Sequence, residues 1–92
     1  MQTIKLQIIE PIGIHAKIAA NIVNVASHFN SDITIICDNK SANLKSILNI
    51  LALGIANGQN IEITIDGSDE YEAAHSITEF FIEKQIAKVI YY

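Results

Sequence analysis

The chain contains no arginine, and its six basic residues, Lys5, Lys17, Lys40, Lys45, Lys84 and Lys88, are scattered rather than clustered. With a formal charge of −4, it lacks the basic patch that displaces counterions from a nucleic-acid backbone, so no nucleic-acid partner is expected. The single cysteine, Cys37, excludes an internal disulfide and fits a reducing cytoplasm. Neither C-x-x-C nor H-x-x-x-H spacing occurs among Cys37, His15, His28 and His75, which excludes a metal site of the usual kinds. With one proline and four glycines the chain has no linker or low-complexity segment. Half the residues are hydrophobic and only 17% are charged, a composition that excludes disorder. Long apolar runs are also missing: residues 47–56 are interrupted by Asn49 and Gly54 and are too short to cross a bilayer. No basic n-region followed by an apolar stretch opens the chain. Cytoplasmic localisation without membrane insertion is the expectation.

What is present is enough for one domain of 92 residues. Thr3 to Ile8 alternates, with Ile4, Leu6 and Ile8 on one face, and reads as a half-buried strand stopped by Pro11 and Gly13. Between Ala16 and Phe29, Ala19, Ile22, Val23, Ala26 and Phe29 recur at steps of three and four, the stripe of an amphipathic helix closed by Asn30 or Ser31. The β-branched run Asp32 to Cys37, the turn residues Asp38-Asn39-Lys40 and a short segment around Ser41 to Asn43 predict a hairpin. Ser46 opens a second, short helix ending at Gly54. Ile61, Ile63 and Ile65 then mark the last predicted strand. A final helix starts at Ser68 or Asp69, where Asp69 and Glu72 have the spacing of a capping box. Its apolar stripe runs through Ala73 or Ala74, Ile77, Phe80 or Phe81, and Ile82. The order β-α-β-β-α-β-α predicts a two-layer α+β domain over residues 1–84. Residues 85–92 read as a tail, with Val89, Ile90, Tyr91 and Tyr92 either packing on a neighbouring chain or disordered.

The chemistry concentrates at Gly13-Ile14-His15-Ala16-Lys17, where an extended run turns into a helical pattern. The first amides of a helix lack intrahelical acceptors and carry the positive end of the macrodipole, so an anion is stabilised there. A neutral imidazole at that point can attack phosphorus and then carry the phosphoryl group beside the amides of Ala16 and Lys17. The interaction is worth about 0.3–1 kcal/mol, and up to about 2 when partly buried. That modest value suits a carrier, because an intermediate held too firmly cannot be handed on.

Gly13-Ile14-His15-Ala16 at the first helix, Ser31-Asp32-Ile33-Thr34-Ile35, and Asn43-Leu44-Lys45-Ser46-Ile47-Leu48 leading to Leu53-Gly54 together resemble the HPr family. These are the histidine phosphocarriers of the bacterial phosphoenolpyruvate:sugar phosphotransferase system, and the resemblance spans residues 1–83. It implies an open-faced β-sandwich, with a four-stranded antiparallel sheet of order 1-4-2-3 and three helices on one face. It further implies that His15 takes a phosphoryl group from enzyme I, charged by phosphoenolpyruvate, and passes it to EIIA domains of sugar permeases. No metal or organic cofactor is implied. Where the family pattern continues Arg-Pro after His-Ala, this chain has Lys17-Ile18. Lysine keeps the charge but lacks the planar two-pronged donor of arginine, and Ile18 adds an N–H to the first turn and removes a fixed φ.

Ser46 stands as an N-cap of the second helix, and a cap alone would explain it. The resemblance implies a second role: phosphorylation by an ATP-dependent HPr kinase, producing a corepressor for a catabolite-control regulator. A phosphate there adds roughly −1.5 to −2 charge and repels an acidic partner. Ile47, Leu48, Ile50, Leu51 and Leu53 are too many apolar residues for one buried face. By resemblance Ile47, Leu48 and Leu51, with Ala20 on the first helix, form the partner-binding patch, while Ile50 and Leu53 pack inward. His28 and His75 read as solvated, and Cys37 as a small strand hydrophobe.

The leading expectation is a relay component with a transient phosphohistidine at His15. The alternative is an HPr-like regulatory paralogue acting through Ser46 and the patch, with little sugar-transport phosphotransfer. A two-layer RNA-binding module is disfavoured by the acidic charge and by strands without stacking aromatics.

Overall fold

The structure is a computed structural model that describes residues 1–91. The elements follow in the order β1 (Gln2–Ile8), α1 (Ala16–Ala26), β2 (Asp32–Cys37), β3 (Lys40–Asn43), α2 (Ile47–Ala52), β4 (Asn60–Asp66), α3 (Glu70–Glu83) and β5 (Ala87–Tyr91). One sheet of order β3-β2-β4-β1-β5 results, so the expected order 1-4-2-3 is present with a strand added beyond β1. All pairings are antiparallel.

Period-two alternation sets the layers. Ile4 pairs with Ile63, Ile63 with Ile35, and Ile35 with Ala42, giving one buried row across four strands. Side chains at Lys5, Thr34 and Glu62 lie on the opposite face of the pleat. Against the apolar face pack Ala19, Ile22 and Ala26 of α1, Ile50 of α2, and Ala73, Ala74, Ile77 and Phe81 of α3. Burying each large aliphatic side chain contributes about 1.5–3 kcal/mol. The β2–β3 hairpin turns through Asp38 (φ 51°) and Asn39 (φ 65°), a two-residue loop with both central residues left-handed that matches the strand twist. Among the described residues no helix is long and apolar enough to cross a membrane.

Four sequence expectations need correction. The segment read as a tail contains β5, which pairs with β1 from Ile8↔Ala87 to Lys5↔Tyr91 with a bulge near Ile90; Tyr92 lies outside the described residues. Helix α1 ends at Ala26 with Ser27 as right-handed cap, rather than at Asn30 or Ser31, because the following backbone is bound elsewhere. Lys45 Nζ donates to the Phe29 carbonyl (2.7 Å), and the amides of Asn30 (2.8 Å) and Ser31 (3.0 Å) donate to Asp69. For the same reason Asp69 forms no capping box. Its carboxylate also accepts from the buried Ser31 hydroxyl and makes no cap bond to α3. The Ser31 hydroxyl, followed by the backbone amides, holds the Asp69 carboxyl below its ordinary value. Ile82, finally, is largely exposed rather than part of the α3 stripe.

Candidate phosphoryl site at the start of the first helix

His15 is the N-cap of α1, with extended backbone (φ −94°, ψ 178°), and its ring makes no capping hydrogen bond. The first helical bond runs from the Ala19 amide to the His15 carbonyl at 2.9 Å, so the amides of Ala16, Lys17 and Ile18 all precede it. No acidic residue lies in this first turn, in contrast to α3, which carries Glu70 and Glu72 in its own. The α1 start therefore presents its positive dipole end uncompensated. His15 is half-buried, Ala16 and Lys17 are exposed, and Ile18 leans on the core. Lys17 forms no ion pair among the described residues.

The loop from Ile9 to Ile14 is fastened on both sides. On one, the Ile9 and Glu10 amides donate to the Ile86 carbonyl (2.8 and 3.1 Å). On the other, the Ile14 amide donates to the Ile55 carbonyl (3.0 Å) and Asn57 Nδ2 to the Glu10 carbonyl (3.2 Å). Between these points the Gly13 amide closes a turn on the Glu10 carbonyl at 3.0 Å, leaving Pro11 and Ile12 exposed at its tip. Gly13 is required here twice over. Its φ is +80°, and a Cβ would stand 2.5 Å from the Ile55 carbonyl oxygen and 2.9 Å from Ala56 Cα.

Ser46 caps α2 as expected: its hydroxyl oxygen accepts from the Asn49 amide at 3.3 Å. Within α2, Ile50 is buried at 1% exposure, whereas Ile47 and Leu48 are exposed at 37% and 78%. Leu51 and Leu53 are half-buried against the core, so Leu51 is only partly available to a partner, and Ala20 on α1 is exposed. His28 is exposed with Nδ1 2.7 Å from the Asn24 carbonyl, and His75 lies 3.3 Å from Glu79. Cys37 is buried, and that burial, with Asp38 beside it, raises its thiol above the ordinary value. No cluster of three or more metal-ligating side chains occurs among the described residues.

Sequence reading missed the frame: Ile55, Asn57 and Ile86 carry no functional signal, yet two main-chain carbonyls and one side-chain amide hold the loop. Asn57-Gly58 has ordinary turn chemistry in the sequence, and only the fold brings Asn57 to Glu10. Lys45 was likewise unassigned; it ties the end of α1 to the residue before Ser46.

A family model for the PTS HPr component phosphorylation site matches residues 2–83. The histidine-containing phosphocarrier protein of Mycoplasma has a similar structure, at 36% identity and a TM-score of 0.91, covering 95% of this chain and 99% of that one. HPr of Bacillus anthracis aligns at 37% identity and a TM-score of 0.79, over 86% of this chain and 94% of that one. The Bacillus subtilis catabolite repression protein Crh, described as a dimer with a swapped domain, aligns at 31% identity and a TM-score of 0.72, over 80% of this chain and 85% of that one. The chain belongs to the HPr family of phosphocarrier proteins of the phosphotransferase system.

Proposed function

We propose that His15 is the phosphoryl acceptor of a cytoplasmic relay, taking its group from phosphorylated enzyme I and passing it to EIIA domains of sugar permeases. The observation that carries this reading is an imidazole at the N-cap of an eleven-residue helix whose first turn holds free amides and no carboxylate. A neutral ring nitrogen attacks phosphorus in line, the nitrogen–phosphorus bond forms as the donor's bond to phosphorus breaks, and the same exchange runs onward to the next acceptor. The phosphoryl oxygens then face the amides of Ala16 and Lys17, with the Lys17 ammonium as a point charge. Ile47 and Leu48, with Leu51 and Ala20 at the margin, supply the apolar docking face.

The test is incubation with enzyme I and phosphoenolpyruvate. An acid-labile phosphate is expected in the full chain, none in His15→Ala, and faster transfer in Lys17→Arg, which restores the bidentate donor. Absence of label on the full chain would sink the carrier reading.

Similarity to Crh favours a second role, regulation through Ser46. Ser46 is half-buried at the start of α2, next to the docking residues Ile47 and Leu48. HPr kinase with ATP is expected to label the full chain and not Ser46→Ala, and the phosphorylated form to bind a catabolite-control regulator while accepting phosphate from enzyme I more slowly. Since the cap is lost as well, Ser46→Ala costs about 1 kcal/mol of stability, read by urea unfolding.

A further inference from the structure

The segment after α3 lies beyond residues 2–83, over which the family model matches, yet it reaches the loop that carries His15. Helix α3 closes with paired bonds from the Gln85 amide to the Ile82 carbonyl (3.0 Å) and from the Ile86 amide to the Phe81 carbonyl (2.9 Å). This is the Schellman arrangement, and it needs a left-handed residue at Gln85, whose φ is +55°. The reversal turns the Ile86 carbonyl toward the end of β1, where one oxygen accepts both the Ile9 amide (2.8 Å) and the Glu10 amide (3.1 Å). Ile86 and Ala87 are each only 2% exposed, and the Ile86 amide bond to Phe81 together with the Ala87 pairing to Ile8 fixes this acceptor through the backbone. Glu10 in turn receives Gly13 and Asn57 on its own carbonyl. Its placement therefore sets the turn that delivers His15.

We propose that Gln85 and Ile86 form a positioning element of the phosphoryl site, in which the Ile86 carbonyl holds the loop that orients His15. The inference rests on the reading of His15 as phosphoryl acceptor. Without this acceptor two loop amides must turn to water, and the loop relaxes away from the α1 start. The histidine then presents its ring nitrogen off the line of attack, although the docking residues on α2 are untouched.

The experiment uses three full-length variants. Gln85→Pro locks φ near −65°, incompatible with the left-handed reversal; Gln85→Gly permits it; Ile86→Ala removes core packing but keeps the carbonyl. For Gln85→Pro, phosphoryl acceptance at saturating phosphorylated enzyme I is expected to fall by about tenfold to a hundredfold, the scale of an ångström-sized misplacement. The apparent KM for enzyme I stays within about twofold, because truncating contacts, not moving the nucleophile, is what weakens docking. Gln85→Gly keeps the full-chain rate, and Ile86→Ala keeps the rate while melting at a lower temperature. A folded Gln85→Pro that accepts phosphate at the full-chain rate overturns the inference, as does a Gln85→Gly as slow as the proline variant. Hydrogen exchange on the unaltered protein tests the same point without any variant: protected Ile9 and Glu10 amides that open together with β5 support it, and free exchange overturns it. If the unaltered chain takes no phosphate, the carrier reading fails. In that case the exchange result and the His15 ring chemical shift in Gln85→Pro decide the positioning role.

Discussion

The loop bearing His15 and the face of α2 lie side by side in function but are built in opposite ways. The loop is held by main-chain hydrogen bonds to Ile55 and Ile86, a side-chain bond from Asn57 and a close approach at Gly13. Helix α2 is six residues long, capped by one hydroxyl and anchored through Ile50, with Ile47 and Leu48 left outward. Under the proposed function, chemistry that depends on a nucleophile's direction is placed on a braced backbone. Recognition of partners, under the same proposal, falls to apolar side chains that can adapt, on a helix held by one buried anchor.

Three substitutions break or sharpen this contrast. The largest effect is expected for Gly13→Ala, which combines a left-handed backbone with a Cβ driven into the Ile55 carbonyl. Strain of this kind costs about 1–3 kcal/mol. Urea unfolding measures that loss, and phosphoryl acceptance is expected to fall along with it; an unchanged rate would show that the loop tolerates displacement. Next is Leu48→Asp, which leaves unfolding free energy within about 0.5 kcal/mol because the side chain is exposed. It raises KM for enzyme I by roughly tenfold, equivalent to about 1.4 kcal/mol of docking energy. A fall in kcat at constant KM would place Leu48 on the wrong side of the comparison.

The smallest effect on either region is expected at the opposite end of α1, for Asp69→Asn. The Asp69 carboxyl titrates below its ordinary value because Ser31 and two amides bind the charged form. Its contribution to stability is therefore complete above the unfolded carboxylate value of about 3.9 and is lost as pH falls through the lower folded value. Asp69→Asn melts earlier than the parent at neutral pH, and the two converge in acid, while phosphoryl transfer and docking stay unchanged. Melting curves that remain parallel across that acid range would remove Asp69 as the linked group.

The legible parts of the chain are those whose reason is local. Alternating apolar residues predict β1 and β4, the β-branched run with the turn residues Asp38-Asn39-Lys40 predicts the hairpin, and a serine before Ile47 predicts the α2 cap. The place of His15 at the start of α1 is legible because an extended-to-helical change is itself a pattern. The corrections share a different cause: Asp69 has the spacing of a helix cap, but Ser31 and Asn30 compete for its oxygens from a distant loop. In the same way β5 has no turn signal tying it to a neighbour, since its partner is β1. Ile86 contributes a carbonyl, which every residue possesses, and only the fold aims it.

The sheet order also bears on how the chain reaches this state. Strand β1 needs residues 60–66 on one side and 87–91 on the other, and nothing near it in sequence pairs with it. Strand β1, first of the described strands in sequence, is thus the last to be fully flanked, its edge open until residues 87–91 join it. High contact order of this kind slows folding and exposes an unpaired strand to other chains.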